Sequence, residues 1–488
     1  MEKAGSNIKY YPIVEELDAS LSALRAFELF RDRPFSFFLD SGMDHRKLGR
    51  YSFIGSDPFL VLRSRGEEIT LSGLRGENIV RGNPFDILAE QLQEYKLDDD
   101  SCTLPFLGGV VGYLSYDLCH FIEKLPATAH DDLGIPECYF AFYDAVVTFD
   151  HLKGKVYIVS TGFPEKGVGG HMRAEARLKY LKEMLSGMPL REESEPGYHT
   201  RAFSDEVQLS SNFTHTGYLA AVEAVREYIR AGDIFQANIS QRFETDLPMS
   251  SYELYLRLRR INPAPFACYL NFDNLAVVSA SPERFLRVRD GLVETRPIKG
   301  TRRRGKDKAE DKIFASELAN SIKDQSEHVM IVDLERNDLG RVCRYGTVRV
   351  SEFAALEKYA TVFHLTSTVE GQLQSGKDNI DLLKASFPGG SITGAPKIRA
   401  MEIIDELEPT KRGVYTGSIG YISFNGILDL NIAIRTFLVK GGRAYFQVGG
   451  AVVYDSVPEA EYIETLDKAQ ALIEALSIAK EPVMEAGK

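Results

Sequence analysis

The chain has 488 residues, 44% of them hydrophobic, which is an ordinary globular composition and enough for two or three domain-sized cores. Its formal net charge of −12 at pH 7 argues against nucleic acid as a main partner, because phosphates repel an acidic surface. Its longest apolar runs are too short to span a bilayer, and residues 1–11 lack the apolar core of a secretory signal, so we expect no membrane partner.

The first block of the sequence, residues 10–185, mixes helical and strand patterns. Helical periodicity covers residues 17–30, 84–95 and 172–184, and strand patterns cover residues 35–41, 50–55, 59–70 and 108–114. No cluster of ionisable residues in this block indicates chemistry. We therefore predict a structural or regulatory role for it.

Residues 186–212 are polar, lack periodicity and are long for a loop within one domain, so we predict a linker there. The second block, residues 213–478, opens with a predicted helix. Thr214 or Thr216 can cap its first turn, and Gly232 ends it.

A segment with little conformational freedom, residues 296–301 with the sequence Arg-Pro-Ile-Lys-Gly-Thr, follows a predicted hairpin. Pro297 fixes its own φ, and Gly300 allows another group to come close. Lys299, held between them, is a candidate nucleophile or cationic clamp if burial lowers its pKa from ~10.4. The alternative is a solvated lysine in a basic loop, because three arginines follow.

Four glutamates occupy the ends of predicted elements. Glu283 follows a buried strand and is a candidate general acid or base, or else an ion-pair partner of Arg284. Glu327 begins a helical stretch, and Glu461 and Glu464 lie one turn apart on the last helix. If the glutamates of the two helices meet, they suit Mg²⁺. The alternative is that each only complements a helix dipole.

Two segments favour an anion. A glycine-rich loop over residues 387–397 runs into a helix whose free N–H groups bind anions, although the lysine and hydroxyl of a Walker A loop are absent. Arg435, in a strand predicted over residues 429–439, is near the small residues 449–451, and together they suit a carboxylate. The alternatives are a tight packing loop and a surface cross-strand pair.

Together these segments resemble the chorismate-utilising enzymes, which include the anthranilate, aminodeoxychorismate, isochorismate and salicylate synthases. The strong resemblance covers about residues 214–475, and residues 10–114 are similar more loosely. It is carried by residues 281–285, 296–301, 331–342, 389–408, 417–421, 432–436 and 455–467. The resemblance implies an α+β fold, a four-layer αββα sandwich with helices outside two facing sheets.

The resemblance also implies Mg²⁺-dependent chemistry on chorismate, a dicarboxylate. Glu283 would be the general acid or base, and Glu327 and Glu464 would be Mg²⁺ ligands with Glu461 nearby. The implied substrate-binding residues are Thr301, His364, Thr393, Arg435, Gly449, Gly450 and Ala451.

Lys299 separates the subfamilies, because anthranilate synthases usually have alanine at this position and aminodeoxychorismate synthases have lysine. In the latter the lysine is taken to attack ring C2 and expel the C4 hydroxyl, after which ammonia adds at C4. The resemblance thus implies 4-amino-4-deoxychorismate, a precursor of p-aminobenzoate and folate. Two alternatives stay open: an anthranilate synthase component that carries lysine, and a non-catalytic binding protein on the same fold.

The ammonia needs a source. A glutaminase would show a cysteine flanked by glycines, and none of the five cysteines has a glycine neighbour. The cysteines are odd in number and never spaced as C-x-x-C, which indicates reduced thiols in a cytoplasmic protein. We therefore expect a separate glutamine amidotransferase subunit to supply ammonia.

Overall fold

The computed structural model describes residues 12–17, 21–43, 47–74, 76–97, 102–186, 207–359 and 362–477. The strands are β1 (Ile13–Leu17), β2 (Ser36–Asp40), β3 (Tyr51–Gly55), β4 (Leu60–Arg65), β5 (Glu68–Gly73), β6 (Gly76–Arg81), β7 (Gly109–Leu114), β8 (Cys138–Tyr143), β9 (Ala145–Asp150), β10 (Lys155–Ser160), β11 (Ser210–Ser211), β12 (Gln236–Asp246), β13 (Phe266–Phe272), β14 (Leu275–Ser281), β15 (Arg284–Arg289), β16 (Leu292–Arg296), β17 (Ile298–Arg303), β18 (Arg349–Lys358), β19 (Val362–Gln372), β20 (Gly394–Ala395), β21 (Ser418–Ser423), β22 (Leu428–Ile432), β23 (Thr436–Lys440) and β24 (Arg443–Val452). The helices are α1 (Ala23–Phe27), α2 (Pro84–Glu94), α3 (Gly167–Ser186), α4 (His215–Ala231), α5 (Ser251–Ile261), α6 (Lys308–Ala319), α7 (Ile322–Gly340), α8 (Asn379–Ser386), α9 (Lys397–Leu407) and α10 (Pro458–Leu476). None of these helices is long and apolar enough to cross a membrane.

The strands form two large antiparallel sheets. Sheet A has the order β1-β10-β9-β3-β2-β13-β14-β23-β24-β12-β11, with β20 beside β12. Sheet B has the order β17-β19-β16-β15-β22-β21-β7-β8-β4-β5-β6, with β18 beside β19. This architecture confirms the expected α+β fold.

The main hydrophobic core lies between the two sheets. Side chains such as Phe37 of sheet A and Phe106 and Tyr421 on the side of sheet B belong to one buried cluster. A second cluster lies on the outer face of sheet A, under α1, α3, α5 and α10, and α6 and α7 pack on sheet B. The layers therefore run helix, sheet, sheet, helix, because each sheet buries one face against the other and one against helices.

Both sheets contain strands from both blocks of the sequence. In sheet A, residues 36–40 pair with residues 267–271, and in sheet B residues 109–114 pair with residues 418–423. The two blocks therefore share one core. The predicted linker and its boundaries stay a prediction, since residues 187–206 lie outside the described residues.

Two of the points at which the chain crosses between the sheets lie next to each other. One crossing joins β14 to β15 through Pro282 and Glu283, and the other joins β22 to β23 through residues 433–435. The crossings are held together because Ser281 Oγ donates to the Ile432 carbonyl at 2.6 Å. They bring Glu283 and Arg435 to the same end of the sandwich.

Several predicted elements differ from the structure. The strand pattern over residues 59–70 is two antiparallel strands, β4 and β5. The helix expected over residues 17–30 is a strand that ends at Leu17 and a short helix that begins at Ala23. The strand expected over residues 429–439 is broken at Arg435, whose φ of 52° lies in the left-handed region. That conformation costs an arginine about 1–2 kcal/mol, and it turns the chain from sheet B into sheet A.

Candidate active site

Lys299 lies in β17 beside a bulge formed by Gly300. The register passes from Lys299 opposite Leu365 to Thr301 opposite His364, so Gly300 is an extra residue in the strand. Gly300 has a φ of 76°, and a Cβ there would lie only 2.8 Å from Cδ1 of Leu318. Only glycine fits this bulge, which sets the direction in which Lys299 leaves the strand.

The Lys299 amine lies among acidic groups in a half-buried position. Burial lowers its pKa, while the negative charges of Glu327, Glu283 and Glu464 act in the opposite direction, and the net effect is a lowered pKa. A lysine with a lowered pKa has more of the neutral amine, the form that acts as a nucleophile. This environment disfavours the alternative of a solvated loop lysine.

Glu283 is buried at the first crossing between the sheets. Its Oε1 accepts hydrogen bonds from Ser391 Oγ at 2.6 Å and from the Ile298 N–H at 3.4 Å. Burial raises its pKa to about 7, despite both hydrogen bonds, so it can exchange a proton near neutral pH. The suggested ion pair with Arg284 is wrong, because that arginine binds two other carboxylates.

Glu327 lies on α7, facing Lys299. The helix is capped by Ser321 and starts at Ile322, so Glu327 lies in its second turn. The prediction that the helix begins at Glu327 is wrong. A dipole effect that fades within the first turn therefore does not explain Glu327. Burial raises its pKa, and the charge of Glu464 adds to this effect, while Lys299 opposes it. The two glutamates and the lysine are thus electrostatic neighbours.

Glu461 and Glu464, on α10, lie against the glycine backbone of β24. A Cβ at Gly450 would lie 3.2 Å from Glu461 Oε2 and 3.4 Å from Glu464 Oε1. Glu461 Oε2 is buried and has no hydrogen-bond partner among the described residues. Glu464 pairs with Lys468 Nζ at 2.6 Å, which also donates to the Gly449 carbonyl at 2.9 Å.

These carboxylates provide hard oxygen donors for Mg²⁺. In the described ranges, no three Asp, Glu, His or Cys side chains are close enough to form a complete cation site by themselves. Mg²⁺ commonly takes one or two carboxylates, waters and an anionic substrate. Glu327 and Glu464 fit such a partial ligand set, and the buried free oxygen of Glu461 lies beside it. The magnesium site stays a prediction.

Arg435 is half-buried at the second crossing between the sheets. Its Nη1 donates to Asn262 Oδ1 at 3.0 Å, and no ion pair with a carboxylate is formed within the described part of the chain. Burial lowers its pKa, since removing a charge from water without a counter-charge is costly. The site therefore suits an added carboxylate, and the alternative of a cross-strand pair is wrong because Arg435 lies outside both strands.

His364 and Thr301 lie together across the bulge. Thr301 Oγ1 and His364 Nδ1 are 3.0 Å apart. Burial lowers the pKa of His364 to about 3, and the charge of Arg435 adds to this effect, so the imidazole is neutral. Its Nε2 is buried and has no partner among the residues described, which leaves it available to a ligand.

The glycine-rich loop approaches the site with a different hydroxyl from the one expected. Thr393 is buried, and its Oγ1 donates to the Gly389 carbonyl at 3.0 Å within the loop. Ser391 is the loop residue that reaches Glu283. Pro396 is the N-cap of α9, the helix into which the loop runs.

Sequence reasoning missed Ser391, Asn262 and Lys468. Lys468 follows Glu464 by four residues on the same helix, a spacing that indicates an ion pair. The contacts of Ser391 with Glu283 and of Asn262 with Arg435 join residues more than 100 positions apart, and no local pattern reveals them.

Comparison with known proteins places the chain in a family. The family model for chorismate binding enzymes matches residues 21–474. Anthranilate synthase component 1 of Acetivibrio thermocellus is 40% identical over 479 residues, with 96% of each chain covered. Aminodeoxychorismate synthase component 1 of Bacillus subtilis strain 168 is 40% identical over 464 residues, covering 94% of this chain and 96% of the relative.

Solved structures agree. The crystal structure of anthranilate synthase component I from Streptococcus pneumoniae TIGR4 superposes with a TM-score of 0.77 at 31% identity, covering 94% of this chain and 99% of that one. The isochorismate synthase MenF of Escherichia coli shares the fold, with a TM-score of 0.69 at 18% identity, 96% of this chain and 95% of that one being covered. The resemblance seen in the sequence is confirmed, and the chain belongs to the chorismate binding enzymes, as a chorismate-utilising enzyme.

Proposed function

We propose that this enzyme converts chorismate and ammonia to 4-amino-4-deoxychorismate, a precursor of p-aminobenzoate and folate. Relatives with the anthranilate and the aminodeoxychorismate activities are equally identical to the chain, at 40%, so overall similarity does not choose between them. The observation that carries the proposal is Lys299, directed by the Gly300 bulge and surrounded by Glu283, Glu327 and Glu464, with a lowered pKa.

In the proposed reaction the neutral Lys299 amine attacks ring C2 of chorismate, both ring double bonds shift towards C4, and the C4 hydroxyl leaves as water with a proton from Glu283. Ammonia then forms a bond to C4 and displaces the Lys299 amine from C2. The resulting ammonium group returns a proton to Glu283. Chorismate and ammonia thus give 4-amino-4-deoxychorismate and water, and the enolpyruvyl group is retained.

The two carboxylates of the substrate have separate binding groups in this proposal. Arg435, with the amides of residues 449–451, holds one of them. Glu327 and Glu464 would hold Mg²⁺, which would supply positive charge for the other carboxylate. In this proposal the neutral Nε2 of His364 and the hydroxyl of Thr301 orient the ring.

We also propose a partner subunit. The two relatives described above both carry the designation component 1, which implies a further component. No cysteine in this chain has the glycine neighbours of a glutaminase nucleophile. A separate glutamine amidotransferase would therefore supply the ammonia.

Product analysis tests the proposal. Purified protein is incubated with chorismate, Mg²⁺ and saturating ammonium, and the products are separated and weighed by mass spectrometry. We expect 4-amino-4-deoxychorismate, which gives p-aminobenzoate only after an aminodeoxychorismate lyase is added. Fluorescent anthranilate that accumulates without any lyase would overturn the proposal and establish an anthranilate synthase.

Replacing Arg435 with glutamine is expected to weaken substrate binding. Loss of a charge-assisted pair with a carboxylate costs about 2 kcal/mol, which corresponds to about a 30-fold higher KM for chorismate. We expect a smaller change in kcat, because the reacting carbons lie near Lys299. Steady-state kinetics and calorimetric titration with chorismate measure both, and an unchanged KM would remove Arg435 from the binding site.

A further inference from the structure

One face of α7 carries both the candidate metal ligand and two more buried carboxylates. Along the helix, Glu335 follows Glu327 by eight residues and Asp338 follows it by eleven, and these spacings place all three on one side. Glu335 is only 2% exposed and Asp338 is 3% exposed. The proposed reaction uses Glu327 and leaves the other two unexplained.

Glu335 contacts the glycine-rich loop directly. Its Oε1 accepts a hydrogen bond from the Gly390 N–H at 3.0 Å, and its Oε2 accepts one from Thr295 Oγ1 at 3.3 Å. The fit is close, because a Cβ at Gly390 would lie 2.8 Å from Cδ2 of Leu334 and 3.0 Å from Glu335 Oε1. The loop is therefore in contact with α7 at this residue.

Asp338 holds the two ends of the same loop together through Lys397. It pairs with Lys397 Nζ at 2.5 Å, and this ammonium also donates to the carbonyls of Ser386 and Pro388, both at 2.9 Å. The helix thus holds the loop at two places. The Asp338 contact joins the two ends of the loop, and the Glu335 contact is at Gly390, next to the residue that binds Glu283.

We propose that Glu335 is a positioning residue, which, through the Gly390 amide, keeps the neighbouring Ser391 hydroxyl hydrogen-bonded to Glu283. This inference rests on the proposed role of Glu283 as acid and base. The hydrogen bond from Ser391 Oγ to Glu283 Oε1, at 2.6 Å, is shorter than the one from the Gly390 N–H to Glu335. A shift of Gly390 by a few tenths of an ångström would stretch it.

The charges of Glu335 and Glu283 also affect each other. Burial raises the pKa of Glu335 to about 7, and the charges of Asp338 and Glu283 add to this effect. The pKa of Glu283 is raised to about 7 as well. Two buried carboxyls of like charge oppose each other's ionisation, so removing the charge of Glu335 favours the ionised form of Glu283.

Two substitutions of Glu335 separate the contact from the charge. Glu335→Gln keeps a carbonyl oxygen for the Gly390 amide and removes the negative charge, so the pKa of Glu283 should fall. Glu335→Asp keeps the charge and shortens the side chain, so Ser391 should loosen, the pKa of Glu283 should rise, and kcat should decrease about 10- to 100-fold. Asp333→Asn is the matched control, because Asp333 lies on the same helix, is exposed and pairs with Arg336, so this change should leave the pKa of Glu283 unchanged.

The titration of Glu283 is measured in two ways. The first is the pH profile of kcat for chorismate consumption. The second is an infrared titration of the protonated Glu283 carboxyl, whose band is identified because it is absent from Glu283→Gln. The infrared titration needs no turnover, so a wild type that fails to consume chorismate counts against the proposed function alone. Opposite shifts in Glu335→Gln and Glu335→Asp support the inference. If one variant fails to fold, the other decides, and an unchanged titration in a folded variant overturns the inference.

Discussion

Lys299→Ala is expected to reduce the formation of 4-amino-4-deoxychorismate by about three orders of magnitude or more, because it removes the attacking amine. Lys299→Arg should be no better, since a guanidinium stays charged and is a poor nucleophile. Chorismate binding should survive both substitutions, because the carboxylates of the substrate are assigned to other groups. Turnover is measured with saturating ammonium, and binding is measured by calorimetry.

The covalent step has its own test. Wild-type enzyme with chorismate and no ammonia should accumulate an adduct that raises the intact protein mass, and Lys299→Ala should not. If Lys299→Arg kept substantial activity, Lys299 would not be a nucleophile, and its role would be that of a cationic clamp.

The pH dependence of the wild-type rate follows from the titration of Lys299 and Glu283. The neutral amine reacts, so the rate should rise as pH increases through the lowered pKa of Lys299. The protonated form of Glu283 assists the leaving hydroxyl, so the rate should fall as pH rises above about 7. The rate is proportional to the product of these two protonation fractions, so its pH profile is bell-shaped. In Glu283→Gln the fall in rate at high pH should disappear.

Glu327→Gln and Glu464→Gln are each expected to lower turnover about 100-fold or more at ordinary Mg²⁺ concentrations while leaving the fold intact. Each substitution removes one anionic donor from a site that has few. Glu459→Gln is the matched control, since Glu459 lies in the first turn of the same helix, exposed, and pairs with His215.

The measurements are activity against Mg²⁺ concentration and the binding of Mn²⁺ followed by its electron spin resonance. The two glutamine variants should bind Mn²⁺ more weakly, and the control should not. Near-normal activity and Mn²⁺ affinity in either variant would refute the ligand assignment.

Local signals in the sequence identified the elements that make their own hydrogen bonds. Thr214 caps α4 through the Gly217 N–H, and Gly232 ends the helix with a φ of 85°, both as predicted. These features depend on residues within one turn of each other. The hairpin over β15 and β16 and the rigid Lys299 segment were predicted for the same reason.

Features that depend on distant contacts were missed or misread. The alternation of apolar residues continues from β22 into β23, so the sequence shows no break at Arg435, although the two strands belong to different sheets. Glu327 was placed at a helix start because the polar first turn of α7, capped by Ser321, has no apolar stripe. Ser391 contacts Glu283 because the glycine-rich loop packs beside the start of β15, and the sequence does not show this packing.

Residues of the candidate site were brought together mainly by the family resemblance. Spacing alone left Lys299, Glu283 and Arg435 with structural alternatives. The structure removed two of these alternatives through the partners of Arg284 and the position of Arg435 between strands.

The sharing of both sheets by the two sequence blocks has a consequence for the newly made chain. Strand β2 needs β13, more than 220 residues later, and β7 needs β21, more than 300 residues later. During synthesis the first block therefore emerges with strand edges and apolar faces that have no partner yet, which favours slow folding and association with other chains. A nascent chain of this enzyme should depend on chaperones until nearly all of the second block has left the ribosome.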